Sequence, residues 1–191
     1  MLRPRIIPSL LVQDKGLVKT VGFSNPKYVG DPINVVRIFN EKLVDELAIY
    51  DIDATVRGHE PDYRMLENLA VESRMPLCYG GGVKTVEKVK TIIGLGIEKV
   101  AISSAAVANP NLIADAAEAV GSQSVVVVLD VKPRPRSSVY EVWTHNAKVN
   151  TGRTMLEVAA EAEKLAAEIA DRVLANPVIE SFKIEVDGAG K

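Results

Sequence analysis

Three consecutive glycines, Gly80, Gly81 and Gly82, directly follow the apolar segment at residues 76–79. Backbone N–H groups can approach a bound anion closely where no side chain intervenes, and glycine tolerates the backbone angles that aim them. The glycine segment is therefore a candidate phosphate site. A tight turn from a strand into a helix uses the same residues, so both interpretations stay open from these residues alone.

Other polar residues that can do chemistry also follow apolar segments. They are Asp51 and Asp53, Ser103 and Ser104, and Asp130 and Lys132. Carboxyl groups transfer protons, whereas hydroxyl groups and a lysine bind anions. Ligands bind at the carboxyl ends of strands in parallel α/β folds, so four successive segment ends of this kind predict an active-site rim.

Short β-rich segments alternate with amphipathic helical segments at a repeat of about 25–30 residues. The sequence predicts strands at residues 6–12, 46–52, 76–79, 99–103 and 124–131, and helices at residues 31–45, 61–74, 85–94 and 109–120. This order predicts a parallel α/β fold, and a doubly wound sheet and a (β/α)8 barrel both fit it. The strand at 124–131 is apolar on both faces, so we expect it to be fully covered.

The pattern changes after Lys132. Residues 139–144 and 147–149 flank His145 and Asn146, which predicts a β-hairpin. Lys132, Arg134 and Arg136 are interpreted as a solvated loop rather than a phosphate clamp. A long helix is predicted at residues 155–174, and a half-exposed strand at residues 178–186 follows it.

The composition is that of a globular protein with a sizeable core. The chain has 191 residues, of which 47% are hydrophobic and 25% are charged, and its net charge of -2 argues against nucleic acid and anionic membranes as partners. Neither a signal peptide nor a bilayer-spanning apolar run is visible. The one cysteine, Cys78, is expected to be a buried packing residue. We therefore expect a cytoplasmic protein.

A series of short motifs resembles HisF, the cyclase subunit of imidazole glycerol phosphate synthase. The motifs include Arg5-Ile6-Ile7-Pro8, Asp51-Ile52-Asp53-Ala54, Tyr79 to Val83, Lys99 to Val107, and Asp130-Val131-Lys132. The resemblance runs from about residue 5 to about residue 165. It implies a (β/α)8 barrel with a phosphate site in each half, no metal and no cofactor. It also implies a HisH-like glutaminase partner whose ammonia is used on a phosphorylated small-molecule substrate.

The resemblance further implies a role for each matching residue. Asp130 corresponds to an acid/base carboxylate. Phosphate and substrate binding fall to Lys19, Asp51, Gly81, Gly82, Ser103 and Ser104. An ammonia gate and partner face at the opposite end of the barrel fall to Arg5, Glu46, Glu98 and Lys99. From the residues alone, an ordinary salt-bridged layer and a solvated loop lysine stay open as alternatives for the gate and for Lys19.

One departure from the HisF pattern concerns catalysis. Leu11 stands where the histidine-pathway enzyme has a catalytic aspartate, and leucine cannot transfer a proton. Residues 25–34 and 141–146 instead resemble the AglZ/WbuZ group, HisF-like proteins associated with adding acetamidino groups to sugars of surface polysaccharides. The resemblance therefore favours sugar amidation over histidine synthesis.

A second departure concerns length. The last βα units of the family pattern are missing, and from about residue 166 the chain resembles the end of PurS, a purine-synthesis subunit. We predict a partial (β/α)8 barrel of about five βα units with a β-hairpin at residues 1–165, and a helix-strand tail at residues 166–191. A partial barrel has open edges, and these favour a homodimer.

Three functions follow from these observations. The first is a HisF-like synthase subunit that uses ammonia from a glutaminase. The second is a catalytically inactive partial barrel that acts as a scaffold, which Leu11 favours. The third is an assembly subunit of purine synthesis, which rests on the tail.

Overall fold

The computed structural model describes residues 5–173, with side chains to residue 165. In chain order the elements are β1 (Ser9–Gln13), β2 (Gly16–Val21), β3 (Ser24–Gly30), α1 (Pro32–Lys42), β4 (Leu47–Asp51), α2 (Ala54–Arg57), α3 (Tyr63–Glu72), β5 (Leu77–Gly80), α4 (Val86–Gly94), β6 (Lys99–Ile102), α5 (Ser104–Ala108), α6 (Asn111–Val120), a 3-10 turn (Ser122–Ser124), β7 (Val125–Val127), β8 (Asp130–Pro133), β9 (Tyr140–Thr144), β10 (Val149–Thr154) and α7 (Met155–Val173). The predicted strand at residues 178–186 lies outside the described residues.

A seven-stranded sheet in the order β3-β2-β1-β4-β5-β6-β7 carries the fold. Strands β1, β4, β5, β6 and β7 are parallel neighbours, whereas β2 and β3 extend the sheet as an antiparallel hairpin. The predicted α/β fold with a parallel sheet is confirmed, and it is consistent with part of a (β/α)8 barrel. The β2–β3 hairpin is absent from the sequence prediction.

Side-chain caps begin three of the helices. The carboxylate of Asp31 accepts a hydrogen bond from the backbone N–H of Asn34 at 3.1 Å, and Asp62 and Thr85 cap α3 and α4 in the same way. Each satisfies a backbone donor that has no partner within the helix. In α6, Pro110 occupies the N-cap position, and no side chain caps that helix.

The parallel strands bury both faces of the sheet. On one face, Leu47, Ile49 and Tyr79 pack against helix residues in the main core. On the other face lies a smaller cluster of Ala48, Cys78 and Ala101, with Tyr50, Val126 and Val128 packed against it. Because side chains alternate along a strand, neighbouring residues belong to opposite faces. Cys78 is buried, as expected, and burial raises the pKa of its thiol to about 12.

The predicted fifth strand is wrong in two respects. Val125–Val127 pairs with β6, but Asp130–Pro133 pairs with β9 in a separate sheet of order β10-β9-β8. The valines of β7 are also only half-buried. The physical reason is position: within residues 5–173, β7 is the last strand of the larger sheet, so no further strand pairs with its outer edge.

The predicted hairpin around His145 and Asn146 is confirmed as β9 and β10. His145, Asn146 and Ala147 all have positive φ angles, of 55°, 60° and 53°, which the tight turn requires. None of the helices within the described range is long and apolar enough to cross a bilayer.

Candidate functional site

A cavity of about 740 Å³ lies at the carboxyl ends of the parallel strands. The predicted site residues that line it are Asp51, Gly81, Gly82, Ser103, Ser104 and Asp130. Lys19 does not line the cavity; it lies on β2 opposite Lys27 of β3. The structure therefore assembles most of the predicted rim, and the β2–β3 hairpin contributes Thr20, Gly22 and Phe23 in place of the lysine.

Leu11 forms part of the cavity wall. It lies opposite Tyr50 in the β1–β4 pairing, one step before the pair formed by Val12 and Asp51. Leu112 and Val128 also line the cavity, so its wall includes apolar side chains besides Leu11. Asp51 and Asp130 are the carboxyl groups that line the cavity within the described part of the chain.

The glycine segment turns the chain from β5 towards α4 and at the same time lines the cavity. Gly81 has a φ of 137°, and a Cβ atom there would lie 2.6 Å from the Cβ and the carbonyl oxygen of Asp51. A Cβ at Gly82, whose φ is 67°, would lie 3.1 Å from the carbonyl oxygen of His59. Close packing and backbone angles thus both require glycine, and the backbone that lines the cavity carries no side chain that would block an anion.

Asp51 is buried at the end of β4, with 9% of its surface exposed. Its Oδ1 accepts hydrogen bonds from the backbone N–H groups of Asp53 at 3.3 Å and Ala54 at 3.1 Å. Burial raises the pKa of Asp51 to about 6, against the opposing effect of the Ala54 N–H. These contacts fix the carboxyl group at the first turn of α2.

Arg57 links Asp53, which follows β4, to the turn between β1 and β2. Its Nη1 lies 3.0 Å from Oδ2 of the buried Asp53, and its Nη2 donates to Oδ2 of Asp14 at 3.1 Å. The hydrogen bond from Arg57 lowers the pKa of Asp14. One guanidinium therefore serves two carboxylates, one buried and one exposed.

Asp130 begins β8 and is half-buried. Burial raises the pKa of its carboxyl group. A raised pKa extends the pH range over which a carboxylic acid keeps a proton to donate, which suits general acid catalysis.

The β9–β10 turn closes over the mouth of the cavity, and sequence reasoning assigned it no role there. His145 and Asn146 both line the cavity, and the backbone N–H of His145 donates to Oγ of Ser104 at 3.2 Å. Ser104 therefore positions this turn as well as facing the cavity. Both residues come from a second sheet, so strand-end spacing could not reveal them.

Lys132 holds the two hairpins together, which corrects its interpretation as part of a solvated loop. Its Nζ lies 4.3 Å from the centroid of the Trp143 ring and 5.9 Å from that of Phe23, and it donates to the carbonyl oxygen of Ala147 at 2.7 Å. Cation–π contacts of this kind are attractive. Arg134 is likewise bound, to Glu141 at 2.6 Å.

The predicted gate residues meet at the amino ends of the strands, away from the cavity. Glu46 is 4% exposed; its Oε2 lies 2.5 Å from Nζ of Lys99 and 3.7 Å from Nη1 of Arg5. Glu98 does not join this cluster through an ion pair, and its Oε2 accepts a hydrogen bond from the backbone N–H of Leu77 at 2.6 Å. A salt-bridged layer and a gate both fit this arrangement.

The parallel sheet, its helices and the cavity at the strand ends define an α/β protein of the barrel type. Residues 5–175 match the family described as histidine biosynthesis protein. The chain belongs to this family and is HisF-like.

Curated relatives agree with this assignment. The chain is 52% identical over 167 residues to a protein of Leptospira borgpetersenii that is provisionally named imidazole glycerol phosphate synthase subunit HisF. It is 37% identical, also over 167 residues, to the protein of that name from Lactococcus lactis subsp. cremoris. Both matches cover 87% of this chain but only 66% and 64% of the relatives. The chain thus spans about two thirds of the length of these relatives.

Proposed function

We propose that the chain is a HisF-type synthase subunit that uses ammonia from a glutaminase partner on a phosphorylated, sugar-type substrate. The observation that carries this proposal is the cavity at the strand ends, because it gathers the glycine segment, the two serines and the carboxyl groups of Asp51 and Asp130. Ligand binding at this end of a parallel sheet is the rule for barrel folds.

In this proposal the glycine segment and Ser103 bind the substrate phosphate. Backbone N–H groups and a hydroxyl group favour a phosphate dianion, and Gly81 and Gly82 line the cavity without a side chain of their own. Ser104 can also donate to the phosphate, because the hydrogen bond that its Oγ accepts from the backbone N–H of His145 leaves the hydroxyl proton free.

Asp130 acts as the acid/base group. When ammonia attacks an electrophilic carbon of the substrate, electrons move onto a neighbouring heteroatom, and a protonated carboxyl group can deliver a proton there. The pKa of Asp130 is raised by burial, which favours this form. Leu11 cannot act as a second proton-transfer group, so we infer a reaction that needs fewer proton transfers than histidine-pathway cyclisation. We therefore favour the amidation of a sugar, which the resemblance to the AglZ/WbuZ group also implies.

Ammonia enters near the cluster of Arg5, Glu46 and Lys99. Strand amino ends and carboxyl ends lie on opposite sides of a barrel, so a glutaminase docked at this cluster would leave the cavity free for substrate. Glu98, held against the first residue of β5, belongs to the same face.

A second candidate is a scaffold without catalytic activity. Leu11 in the cavity wall favours it, because an apolar side chain stands where the family pattern has a catalytic aspartate. Such a protein would bind a phosphorylated ligand or a glutaminase but would not catalyse a reaction of the ligand.

The test is ammonia-dependent turnover of a phosphoribosyl substrate and of a phosphorylated amino sugar by the parent chain, Asp130→Asn and Leu11→Asp. Turnover by the parent that is lost in Asp130→Asn supports the proposal. If neither the parent nor Leu11→Asp turns over a substrate while phosphate still binds, the proposal fails and the scaffold stands. Unchanged turnover in Asp130→Asn would refute the role of Asp130.

A further inference from the structure

Three metal-ligating side chains converge at the end of β4, where Asp51 lines the cavity. Asp51 and Asp53 flank Ile52 at the end of β4, and His59 lies in the loop between α2 and α3. One donor atom from each residue lies within 4.8 Å of those of the other two. The single turn of α2 reverses the chain and so returns His59 to the two aspartates.

Asp53 provides a buried carboxylate whose bonding is incomplete. It is 5% exposed, and within the described range neither of its side-chain oxygens accepts a hydrogen bond. Oδ2 has an ion-pair distance of 3.0 Å to Arg57, but without hydrogen-bond geometry. A buried charged oxygen without a donor is costly. A bound cation would satisfy it, as would a proton shared with Asp51.

The local charge favours a cation. Arg57 is the guanidinium paired with Asp53, and it is shared with Asp14. With Asp51 beside them, three carboxylates surround one positive charge. The group therefore carries an excess of negative charge around a partly buried point, which is the setting in which proteins bind divalent ions.

His59 has the ring orientation of a metal ligand. Its Nδ1 lies 2.9 Å from the carbonyl oxygen of Glu60. Because a carbonyl only accepts, the neutral ring carries its proton on Nδ1 and leaves the lone pair of Nε2 free, as in histidines that bind metals. The loop is anchored by the ion pair of Glu60 with Lys88 at 2.8 Å and by packing of the His59 backbone against Gly82.

We propose that Asp51, Asp53 and His59 bind a divalent transition-metal ion through one carboxylate oxygen from each aspartate and Nε2 of His59. Two oxygens and one imidazole nitrogen suit Mn²⁺, Fe²⁺ or Zn²⁺ better than Ca²⁺ or Mg²⁺. Ligands at about 2.0–2.2 Å from one ion lie at most about 4.4 Å apart. The side chain of His59 is exposed and so is free to adjust towards that spacing.

The ion would serve the cavity next to it. Asp51 lines the cavity, and Gly81 packs directly on Asp51, so the ion would place positive charge near the glycine segment. An anionic substrate would then face two positive charges, the metal ion and the side chain of Lys84, which also lines the cavity. This site goes beyond the proposed function and does not depend on ammonia chemistry or on a glutaminase.

The test is titration of the full, metal-stripped chain with Zn²⁺, followed by calorimetry and by the imidazole ¹H–¹⁵N resonances. The chain has two histidines, His59 and His145, so each gives its own signals. We expect one ion per chain, with shifts at His59 and not at His145. His59→Gln and Asp53→Asn should each weaken binding at least about tenfold, while His145→Gln, the matched control, should bind as the parent does.

Three results would overturn the proposal: no saturable binding, shifts at His145 without shifts at His59, or His59→Gln binding as tightly as the parent. The first of these would leave a proton shared between the two aspartates as the explanation for the buried carboxylate. Circular dichroism of each variant checks that it folds, and His59 is exposed, so its substitution should not disturb the core.

Discussion

Gly81 packs so closely on Asp51 that a Cβ atom at position 81 would stand 2.6 Å from the Cβ of the aspartate. This contact joins the glycine segment after β5 to the carboxyl group that ends β4. It explains why the chain needs glycine here independently of any ligand. The segment therefore has two duties, because it also lines the cavity.

Gly81→Ala should destabilise the protein. The new Cβ meets the backbone of Asp51, and the φ of 137° is unfavourable for alanine, so we expect a loss of at least about 2 kcal/mol in the free energy of unfolding. Gly94→Ala is the matched control, since no atom lies within 4 Å of a Cβ there. Urea unfolding measures both, and equal stability of the two variants would contradict the packing described.

Lys99→Met should leave Glu46 buried without its closest cation. We expect a loss of about 2–3 kcal/mol, somewhat below the cost for a fully buried pair because 25% of the Lys99 side chain is exposed. The double variant Glu46→Gln with Lys99→Met should recover part of this loss, since no unpaired charge remains. A double variant less stable than Lys99→Met would show that the charges are not coupled.

The Cys78 thiol should be inert in the native protein. Burial raises its pKa to about 12, so the reactive thiolate is scarce at pH 8, and the surrounding sheet blocks access. A chromogenic disulfide reagent should react slowly with native protein and promptly, with one equivalent, in urea. Rapid reaction of the native chain would mean that β5 is not covered as the structure shows.

Asp130→Asn should change the pH dependence of stability. Burial raises the folded-state pKa of Asp130 above its usual value of 3.8, so the folded state binds more protons than the unfolded state between the two pKa values. The parent therefore loses stability as the pH rises through this window. The neutral asparagine escapes that loss, so the variant should be more stable than the parent at pH 7 and similar at pH 3.

Thermal unfolding of the parent and the variant at several pH values measures this effect. The prediction is contradicted if the difference in stability between parent and variant is the same at pH 3 and at pH 7. That outcome would mean that the Asp130 carboxyl group ionises in the folded state as readily as in water.

Periodicity in the sequence was enough to predict most of the parallel unit. Period-two and helical patterns are local, so four strands and the helices that follow them were placed within a few residues. The apolar run from Val125 to Leu129 predicted one long strand. A continuous apolar run does not reveal that its first residues pair with β6 while the residues just after it pair with β9. The sequence did not reveal the β2–β3 turn, because Phe23 takes a positive φ angle there, at which a turn usually has glycine.

The site was predictable to the extent that it lies at strand ends. Gly81 and Ser103 could be grouped because parallel strands end on the same edge of a sheet. Asp130 was grouped with them although it begins β8 of the second sheet, three residues after β7 ends. His145 could not, since it reaches the cavity from a turn of the second sheet, and neither could the approach of His59, in the loop after α2, to Asp51 and Asp53. Only the folded arrangement of these connections brings them there.

In the proposed function, the cavity at the strand ends binds the phosphate of the substrate. The decisive measurement is a titration of ¹⁵N-labelled protein with ribose 5-phosphate, followed by backbone amide resonances. We expect saturable shifts at the amides of Gly81, Gly82 and Ser103, with none at Glu46 or Lys99 at the opposite end of the strands. Absence of saturable shifts, or shifts centred on the Glu46 and Lys99 end, would contradict it.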